Sequence, residues 1–370
     1  MKKLAFVGNT SFSVYNFRLG VMKNFVQAGY EVYAIAPQDQ YSELFESESI
    51  KYIPLEMNGK GTNFIEDYKL YKNIKRIYSE HRFDFVFHYT IKPIIYGSLA
   101  CEKLNIPAIA ITTGLGYAFI GNGFLKKIVI ALYKRTLKKT KEVWFLNEDD
   151  KRVFLKNNIV SNSKTFVLPG EGVDVSFFQP QEKQNNTDKF IFLFVSRLVK
   201  EKGVEEYALA AKKLKGKYDN IECWVLGKTD VDNPNNVPIE KIMKWDEKKY
   251  IKYIESVIDV RSFIANSDCV VLPTYYREGI PRCLMEGLSM ERPIITTNNV
   301  GCIELIRDSE NGLLCAQKDV DDLADKMEKM YLQSDETRKK WGENGRKLIL
   351  EKFDEKIIIN QYLEKLDEYL

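Results

Sequence analysis

The feature that most constrains the fold is a repeated alternation of short apolar runs with longer helical patterns. Strands that alternate with helices indicate a parallel sheet with right-handed crossovers. The alternation occurs in two blocks, and 370 residues are too many for one ordinary core, so two domains are expected. The predicted strands are 3–7, 31–36, 83–89, 108–112, 142–145 and 165–168 in the first block, and 190–195, 221–226, 257–259, 269–272, 293–296 and 312–315 in the second.

The segments between the strands complete an α/β pattern. Helical patterns occur at 13–28 and 67–81, and the tail at 357–366 has the pattern of an amphipathic terminal helix. The polar stretch 179–188 is the most linker-like segment. We therefore expect two doubly wound, Rossmann-like domains that face each other across a cleft and bind ligands at the carboxyl ends of their strands.

The composition excludes several classes of protein. A net charge of +3, from 55 basic and 52 acidic residues, does not indicate a nucleic-acid partner. The six cysteines are scattered without a CxxC pair, as expected for reduced thiols in a cytoplasmic protein. The first apolar run stops at Gly8, too early for a signal peptide, and no stretch of about 18 apolar residues is present to span a membrane. Gly8 is not followed by the further glycines of a dinucleotide fingerprint, which argues against a nicotinamide enzyme.

A run from Glu278 to Glu286 carries two carboxylates eight residues apart, separated by a Gly-x-Pro turn. It lies between an apolar strand candidate and the helix candidate 283–290. Gly279 allows close approach of the backbone to a ligand, and Pro281 suits the first helical position. The amides of a helix N-terminus can bind a phosphate, so both carboxylates would reach hydroxyls of a phosphorylated sugar. Taken alone, the same pattern also fits a helix cap with a surface glutamate.

Four segments, in order, give the chain a resemblance to the retaining GT-B glycosyltransferases of family 4 over essentially its whole length. Residues 194–203 resemble the family's Gly/Ser-Arg-Leu-x-x-x-Lys-Gly motif, and 277–286 resemble its E-x7-E donor motif. Residues 170–178 resemble the crossing to the second domain, and 296–304 with 311–314 resemble the end of the donor domain. The resemblance implies an acceptor-binding domain at 1–175, with the helix 355–370 packing back on it, and a donor-binding domain at 176–354.

The resemblance also implies a nucleotide-sugar site that needs no metal ion and no cofactor, since fixed positive groups neutralise the departing diphosphate. Arg197 and Lys202 are expected to grip the phosphates, Glu278 to hold the transferred sugar and Glu286 the ribose. The acidic runs 147–150 and 230–232 suggest a metal site, but a helix N-cap or a solvated loop is the favoured interpretation. The other expected donor-binding residues are Gly8, Asn9, Gly279, Ile280, Pro281 and Arg282.

His88 is the remaining catalytic candidate. It lies near the end of the predicted strand 83–89, and many relatives carry a histidine just after this strand that contacts the transferred sugar. Here the register is shifted, with Tyr89 nearer that position, so a core or supporting role for His88 stays open beside catalysis. No separate nucleophile can be named, which agrees with the front-face mechanism proposed for retaining members.

Acceptor binding is assigned to the first domain. The glycine-rich turn Thr113, Gly114, Gly116 and Tyr117 and the cation Lys92 are its candidates. Residues 125–141 carry seven cations and no anions around an apolar core, a pattern typical of a helix lying on an anionic membrane. A helix packed on the sheet with a solvated basic face is the alternative. The cations assigned to the membrane are Lys126, Lys127, Lys134, Arg135 and Lys138.

These likenesses imply a retaining enzyme that moves an N-acetylhexosamine from a UDP-sugar to an undecaprenyl-diphosphate-linked saccharide in bacterial glycan assembly. UDP-N-acetylgalactosamine is the favoured donor, because residues 117–124 resemble enzymes that add the second sugar in bacterial N-glycan assembly. The enzyme is expected in the cytoplasm, bound peripherally to the inner face of the cell membrane. Two alternatives are a GT-B UDP-N-acetylhexosamine 2-epimerase, against which the presence of only two histidines counts, and a non-catalytic nucleotide-sugar-binding subunit.

Overall fold

The structure, a computed structural model, describes residues 1–58, 63–115, 123–183, 188–231 and 233–370, with only the backbone at 124 and 125. The chain divides into two compact units. Unit 1 comprises Met1–Gly172 and Glu355–Leu370, and unit 2 comprises Val173–Asp354. Each unit is built on one parallel sheet covered by helices, which confirms the predicted α/β class.

Unit 1 contains a seven-stranded sheet in the order β3-β2-β1-β4-β5-β6-β7, with every described strand pair parallel. Its helices follow the strands in the alternating manner expected from the sequence. The strands are β1 Lys3–Val7, β2 Glu31–Ala36, β3 Lys51–Pro54, β4 Phe85–Tyr89, β5 Ala108–Thr112, β6 Glu142–Phe145 and β7 Thr165–Val167. The helices are α1 Ser11–Gln27, α2 Leu44–Ser47, α3 Phe64–His81, a π-helix Pro93–Gly97, α4 Ser98–Leu104, α5 Phe124–Thr136, α6 Glu148–Lys156 and a 3-10 turn Asn162–Lys164, with the terminal helix at Glu355–Asp367.

The two faces of this sheet carry separate apolar layers, because successive strand residues point to opposite sides. Leu4 and Phe6 lie in the layer that contains residues of α1 and of the terminal helix. Ala5 and Val7 lie in the layer that contains residues of α3 and α4. The terminal helix is therefore part of the core of unit 1, through a buried set of side chains: Ile358, Ile359, Tyr362 and Leu366.

Unit 2 contains a six-stranded parallel sheet in the order β10-β9-β8-β11-β12-β13. Its strands are β8 Phe190–Val195, β9 Ile221–Leu226, β10 Lys252–Ile254, β11 Cys269–Leu272, β12 Ile294–Thr297 and β13 Gly312–Cys315. Its helices are a 3-10 turn Lys200–Lys202, α7 Val204–Lys215, α8 Ile239–Glu247, α9 Arg261–Asn266, α10 Arg282–Ser289, α11 Val320–Tyr331 and α12 Asp335–Lys352. We number the terminal helix of unit 1 α13. No helix in the described part of the chain combines the length and the apolar character that crossing a membrane requires.

The predictions that fail concern edges and boundaries. Strand β3 was not predicted, since its outer residues are exposed and its Pro54 suits only a sheet edge. Strand β10 lies before the predicted strand 257–259, which is irregular in the structure and exposes Ile258. The polar stretch 179–188, of which 184–187 are outside the described residues, lies within unit 2 and not at a domain boundary.

Candidate functional site

Two loops at the carboxyl ends of the neighbouring strands β8 and β11 of unit 2 are held together by hydrogen bonds. The carbonyl of Glu201 accepts from the amides of Tyr275 and Tyr276, at 2.9 and 3.1 Å. Gly203 has φ +79°, and a Cβ there would lie 2.3 Å from the carbonyl oxygen of Pro273. Only glycine fits this approach, so the glycine that ends the predicted Arg-Leu-x-x-x-Lys-Gly motif fixes one loop against the other.

This contact brings Lys202 and Glu278 together. The Nζ of Lys202 donates to Oε1 of Glu278 at 2.5 Å, and the two side chains are only 14% and 10% exposed. The hydroxyl of Thr274 lies 3.0 Å from the same carboxylate oxygen. A charge-assisted pair of this kind gives the lysine a fixed place. The structure therefore joins two of the predicted catalytic residues in one cluster.

The turn after Glu278 is supported from a third loop, which follows β12. Gly301 has φ +79°, and a Cβ at this residue would lie 2.1 Å from the carbonyl oxygen of Gly279. Asn299 donates from its side-chain amide to the carbonyl of Tyr276 at 2.5 Å. The backbone around Gly279, Ile280 and Pro281 is therefore fixed by packing as well as by its own sequence.

Helix α10 begins at Arg282, so Pro281 is the capping residue and not the first helical residue as predicted. The Nε of Arg282 donates to Oε1 of Glu286 at 3.1 Å, one helical turn away, and both side chains are largely buried. Burial raises the pKa of the Glu286 carboxyl, an effect that the nearby Arg282 opposes. Burial also raises the pKa of the Cys283 thiol to about 12, so a thiolate nucleophile is not available there at neutral pH.

Arg197 lies in the loop after β8 and is more exposed than Lys202, at 54% of its side chain. Its Nη1 donates to Oδ2 of Asp230 at 3.1 Å. The two cations predicted to bind the diphosphate are thus held by different acids. Asp230 belongs to the acidic run 230–232, whose Asp232 lies outside the described residues. In the part of the chain that the structure describes, no group of three His, Cys, Asp or Glu side chains is placed to bind a metal ion. In the other acidic run Asn147 caps α6 by accepting from the amide of Asp150, which confirms the N-cap interpretation.

In unit 1 the first predicted donor loop is a tight turn between β1 and α1. The amide of Gly8 donates to the carbonyl of Ile35 at 3.1 Å, and a Cβ on Gly8 would lie 2.5 Å from a methyl group of Val14. The hydroxyl of Thr10 caps α1 by accepting from the amide of Ser13. The backbone of Gly8 and Asn9 therefore leads directly into a helix N-terminus, where amides can face an anion.

The structure places His88 in the core. Its side chain is fully buried, shares a 2.9 Å hydrogen bond with the hydroxyl of Tyr78 and packs where a Cβ of Gly97 would otherwise lie. Burial lowers its pKa to about 3. Tyr89 is also buried, with its hydroxyl 2.9 Å from that of Tyr362. Of the two roles left open for His88, the geometry favours the core role, since the ring has no exposed surface for a sugar to contact.

The acceptor candidates are only partly described. Gly116 and Tyr117 lie outside the described residues, as does most of the segment 117–124 on which the donor preference rests. Thr113 and Gly114 follow β5 and are half-buried. Lys92 is not a free cation, because its ammonium group forms a 2.7 Å salt bridge with Asp67 of α3.

Helix α5 differs from the predicted membrane helix. It ends at Thr136, so Lys138 lies beyond it, and its apolar residues Val129 and Tyr133 are buried in the core. Lys127 and Lys134 are exposed, Lys126 is half-buried, and Arg135 pairs with Glu102 at 2.7 Å. The apolar side chains of α5 that the structure describes are therefore packed on the sheet, as in the alternative interpretation, and the described outer face of the helix is basic.

Several residues of these clusters were missed. Thr274 carries no sequence signal beyond its position after a strand, and Asn299 lies in the segment 296–304 but was not singled out as a site residue. Asp230 was noticed only as part of an acidic run. Thr90, at the end of β4, has φ +67°, a conformation that β-branched residues rarely adopt and that often marks a functional site. The local sequence does not predict this conformation.

Most of each unit matches the model of a known protein family. The model described as glycosyl transferases group 1 matches residues 175–348, and the model described as glycosyl transferase 4-like matches residues 3–147. The two matches therefore cover most of both sheets. They include every strand except β7, which lies between the two matches.

The chain is also similar in sequence to named glycosyltransferases. The chain is 27% identical to the N,N'-diacetylbacillosaminyl-diphospho-undecaprenol alpha-1,3-N-acetylgalactosaminyltransferase of Campylobacter jejuni, over 100% of the chain and 99% of that enzyme. It is 24% identical to an Escherichia coli UDP-Gal:alpha-D-GlcNAc-diphosphoundecaprenol alpha-1,3-galactosyltransferase, over 71% of the chain and 70% of that enzyme. An Anabaena protein solved in complex with UDP and glucose has the same fold, with a TM-score of 0.82 at 15% identity and full coverage of both chains.

Proposed function

The chain belongs to the GT-B glycosyltransferases of the family 4 type, and from this we propose that it transfers an N-acetylhexosamine from a UDP-sugar to an undecaprenyl-diphosphate-linked saccharide. We further propose that the anomeric configuration is retained and that no metal ion takes part. The observation that carries the proposal is the contact between Lys202 and Glu278, the two motif residues to which we assign the phosphate and the sugar. UDP-N-acetylgalactosamine is the favoured donor, since the Campylobacter relative that aligns along the whole chain is named for N-acetylgalactosaminyl transfer.

The charges of unit 2 support a diphosphate leaving group. Lys202 and Arg197 both follow β8, and each is neutralised by an acid, Glu278 or Asp230. An incoming diphosphate would take over these cations, and the amides at the start of α10 would add further donors. Glu278, released from Lys202, would then accept hydrogen bonds from sugar hydroxyls. Glu286, one turn along α10, would hold the ribose in the same way, with Arg282 keeping it oriented.

Cleavage of the bond between the sugar and the diphosphate would be favoured by cations placed where negative charge develops. As the anomeric carbon separates from the diphosphate, negative charge grows on the phosphate oxygens beside Lys202 and Arg197, and cations fixed in advance stabilise it without reorganisation. The departing phosphate would accept the proton of the attacking hydroxyl on the same face of the sugar. This front-face route needs no enzyme nucleophile, in keeping with the buried state of His88 and the raised pKa of Cys283.

A lipid-linked acceptor is supported by the relatives, two of which are named for undecaprenol-linked substrates. We propose that unit 1 binds it, with Thr113 and Gly114 near the saccharide. Lys126, Lys127 and Lys134 on α5 would attract the anionic inner face of the cell membrane, each exposed cation contributing about 1 kcal/mol near the surface. The enzyme would thus act in the cytoplasm at the membrane surface.

The test is a panel of UDP- and GDP-sugars incubated with a polyprenyl-diphosphate-linked monosaccharide in a membrane mimetic, followed by nucleotide release and product mass. We expect UDP release together with one added N-acetylhexosamine on the lipid. Transfer only from GDP-sugars, or only to soluble acceptors, would contradict the proposal. Formation of a new UDP-sugar without transfer would identify an epimerase instead.

Two further measurements test the mechanism. The coupling constant of the anomeric proton in the product distinguishes retention from inversion, and we expect the configuration of the donor to be kept. Addition of a chelator tests the metal, and we expect turnover to be unchanged. Loss of turnover that Mg²⁺ or Mn²⁺ restores would contradict the role given to Lys202 and Arg197.

A further inference from the structure

The N-terminal turn of α3 exposes three large apolar side chains on one side of the helix. Phe64, Ile65 and Tyr68 are 75%, 68% and 58% exposed, and we refer to these three as the α3 tip. The opposite side of the helix is buried in the core through Leu70 and Ile74. Isolated exposed apolar residues are common, but three within one helical turn form a patch of the kind that marks a contact surface.

The helix turn that carries the α3 tip is fixed by hydrogen bonds and a salt bridge. Asn63 caps the helix by accepting from the amide of Ile65, at 3.0 Å. In the same turn, Asp67 is fixed by the salt bridge to Lys92 and by a 2.9 Å hydrogen bond from the hydroxyl of Tyr96. A fixed apolar turn loses little conformational entropy when it is covered, which favours binding.

Cations follow the tip along the exposed side of α3. Lys69, Lys72, Lys75 and Arg76 are exposed, and the ammonium group of Lys72 lies 4.7 Å from the ring centre of Tyr68. The exposed acids of this helix are Glu66 and Glu80, and Glu80 pairs with Arg76 at 2.9 Å. An apolar end with a basic shaft is the pattern of a segment that inserts at the boundary between headgroups and acyl chains.

Helix α5 lies on the same side of the unit 1 sheet as α3. Val86 of β4 packs in the layer that contains α3, and Ala108 beside it belongs to the same layer. Ala110, two residues further along β5 and so on the same face, packs in the layer that contains α5. Both helices also contact the π-helix Pro93–Gly97. The basic outer face of α5 and the α3 tip therefore point away from the same side of the sheet.

We propose that the α3 tip inserts into the surface of an anionic lipid bilayer, with Lys69, Lys72 and Lys75 at the headgroups and the basic face of α5 beside them. This surface would supply apolar contacts with the membrane, which the described apolar side chains of α5, such as Val129 and Tyr133, do not provide because they are packed on the sheet. A second copy of the chain is disfavoured as the occupant, because a symmetric contact would bring the same cations together. The inference deepens the proposed function. It rests on that function only in its purpose, since membrane binding would bring the enzyme to a lipid-linked acceptor.

The first test places a reporter in the tip of the full chain. Phe64→Trp is mixed with vesicles of phosphatidylglycerol and phosphatidylcholine that carry brominated acyl chains and no sugar acceptor. Leu332→Trp is the matched control, because Leu332 is 65% exposed in unit 2, outside the proposed surface. We expect the added emission of Phe64→Trp to be quenched by the brominated lipid and that of Leu332→Trp to be unaffected. An unquenched Phe64→Trp, or equal quenching of both variants, would overturn the proposal.

The second test removes the tip with Phe64→Ser, Ile65→Ser and Tyr68→Ser together, with Leu332→Ser and Leu350→Ser as the control pair. We expect the vesicle partition coefficient of the tip variant to fall about tenfold or more, with the loss persisting at high salt, where charge attraction is screened. Circular dichroism and the melting temperature verify the fold of both variants. Unchanged partitioning, or concentration-dependent self-association that the tip substitutions abolish, would overturn the proposal. Since the vesicles lack an acceptor, sugar transfer measured in detergent tests the proposed function separately.

Discussion

The Nζ of Lys202 lies 2.5 Å from Oε1 of Glu278, although 76 residues separate the two in sequence. Each comes from a loop at the end of a strand, and the strands β8 and β11 are neighbours in the sheet. Both side chains are largely withdrawn from solvent, so removal of either leaves a poorly solvated charge. In the proposed reaction this pair separates when a diphosphate binds Lys202 and a sugar binds Glu278.

The first prediction concerns Lys202→Ala. We expect turnover to fall by about 10²–10³-fold, the range seen when one fixed donor to a developing negative charge is removed. The fold should persist, because Lys202 lies in a short loop and not in the core of unit 2. The measurement is the rate of UDP release and lipid product formation, with circular dichroism to verify folding.

Lys200→Ala is the matched control for this variant. Lys200 lies in the same 3-10 turn and is exposed. Loss of one exposed cation in the same turn should leave turnover close to that of the wild type. Near-wild-type turnover in Lys202→Ala itself would remove the diphosphate role from this lysine.

The candidate residues of this cluster could be predicted because they lie in short, contiguous motifs, whereas their partners could not. Local sequence identifies Arg197, Lys202 and Glu278, but the pairing of Arg197 with Asp230 depends on how separate loops meet in space. The contact between Arg282 and Glu286 is an exception, since residues four apart on a helix share one face.

The second prediction concerns Thr274, whose hydroxyl lies 3.0 Å from Glu278. Thr274→Val keeps the shape and removes the hydroxyl. We expect kcat/KM to fall about 10–100-fold, since hydrogen bonds to charged groups are worth about 1.5–3 kcal/mol. Thr274→Ser, which keeps the hydroxyl, should restore most of the rate. Equal rates for the valine and serine variants would show that this hydroxyl does not position Glu278.

The third prediction concerns Gly301. A Cβ at this residue would lie 2.1 Å from the carbonyl oxygen of Gly279, and its φ is +79°. Gly301→Ala should therefore destabilise unit 2 by about 1–3 kcal/mol and raise KM for the UDP-sugar as the turn after Glu278 shifts. Urea unfolding and steady-state kinetics measure the two effects.

Gly216→Ala provides the comparison, because Gly216 has an ordinary negative φ and a Cβ there would meet nothing closer than 3.4 Å. It should be neutral, or stabilise the protein by about 0.4–1 kcal/mol. A donor KM that stays unchanged in Gly301→Ala would contradict the view that this glycine fixes the donor turn.

The central strands and the edge strands β7 and β13 were predicted from the sequence, whereas the edge strands β3 and β10 were not. A central parallel strand is buried on both faces and appears as a continuous apolar run, as β8 does, while β3 and β10 are short, half-covered edge strands with no such run. The surroundings of helix α5 and of His88 could not be predicted from the sequence either. Amphipathicity gives the apolar face of a helix but not what covers it, and position near a strand end does not tell whether a side chain points into the core.

The fourth prediction concerns the pH dependence of stability that His88 confers. Burial lowers its pKa from 6.5 to about 3, so between these values the unfolded chain binds a proton that the folded chain does not. Folding stability from this group is therefore present above pH 6.5 and is lost as pH falls toward 3, at about 1.4 kcal/mol per pH unit. His88→Gln, which retains an acceptor for the Tyr78 hydroxyl but does not titrate, should lose about 2 kcal/mol less than the wild type between pH 7 and pH 5.

Urea unfolding of both proteins at pH 7 and pH 5 measures this difference, and turnover at pH 7 separates the two roles considered for His88. A core histidine predicts a smaller pH effect in His88→Gln and turnover close to that of the wild type, because its ring has no exposed surface. A loss of turnover as severe as that expected for Lys202→Ala, with an unchanged pH dependence of stability, would return His88 to the catalytic group. That result would require β4 to present the ring to the sugar in a conformation different from the one described.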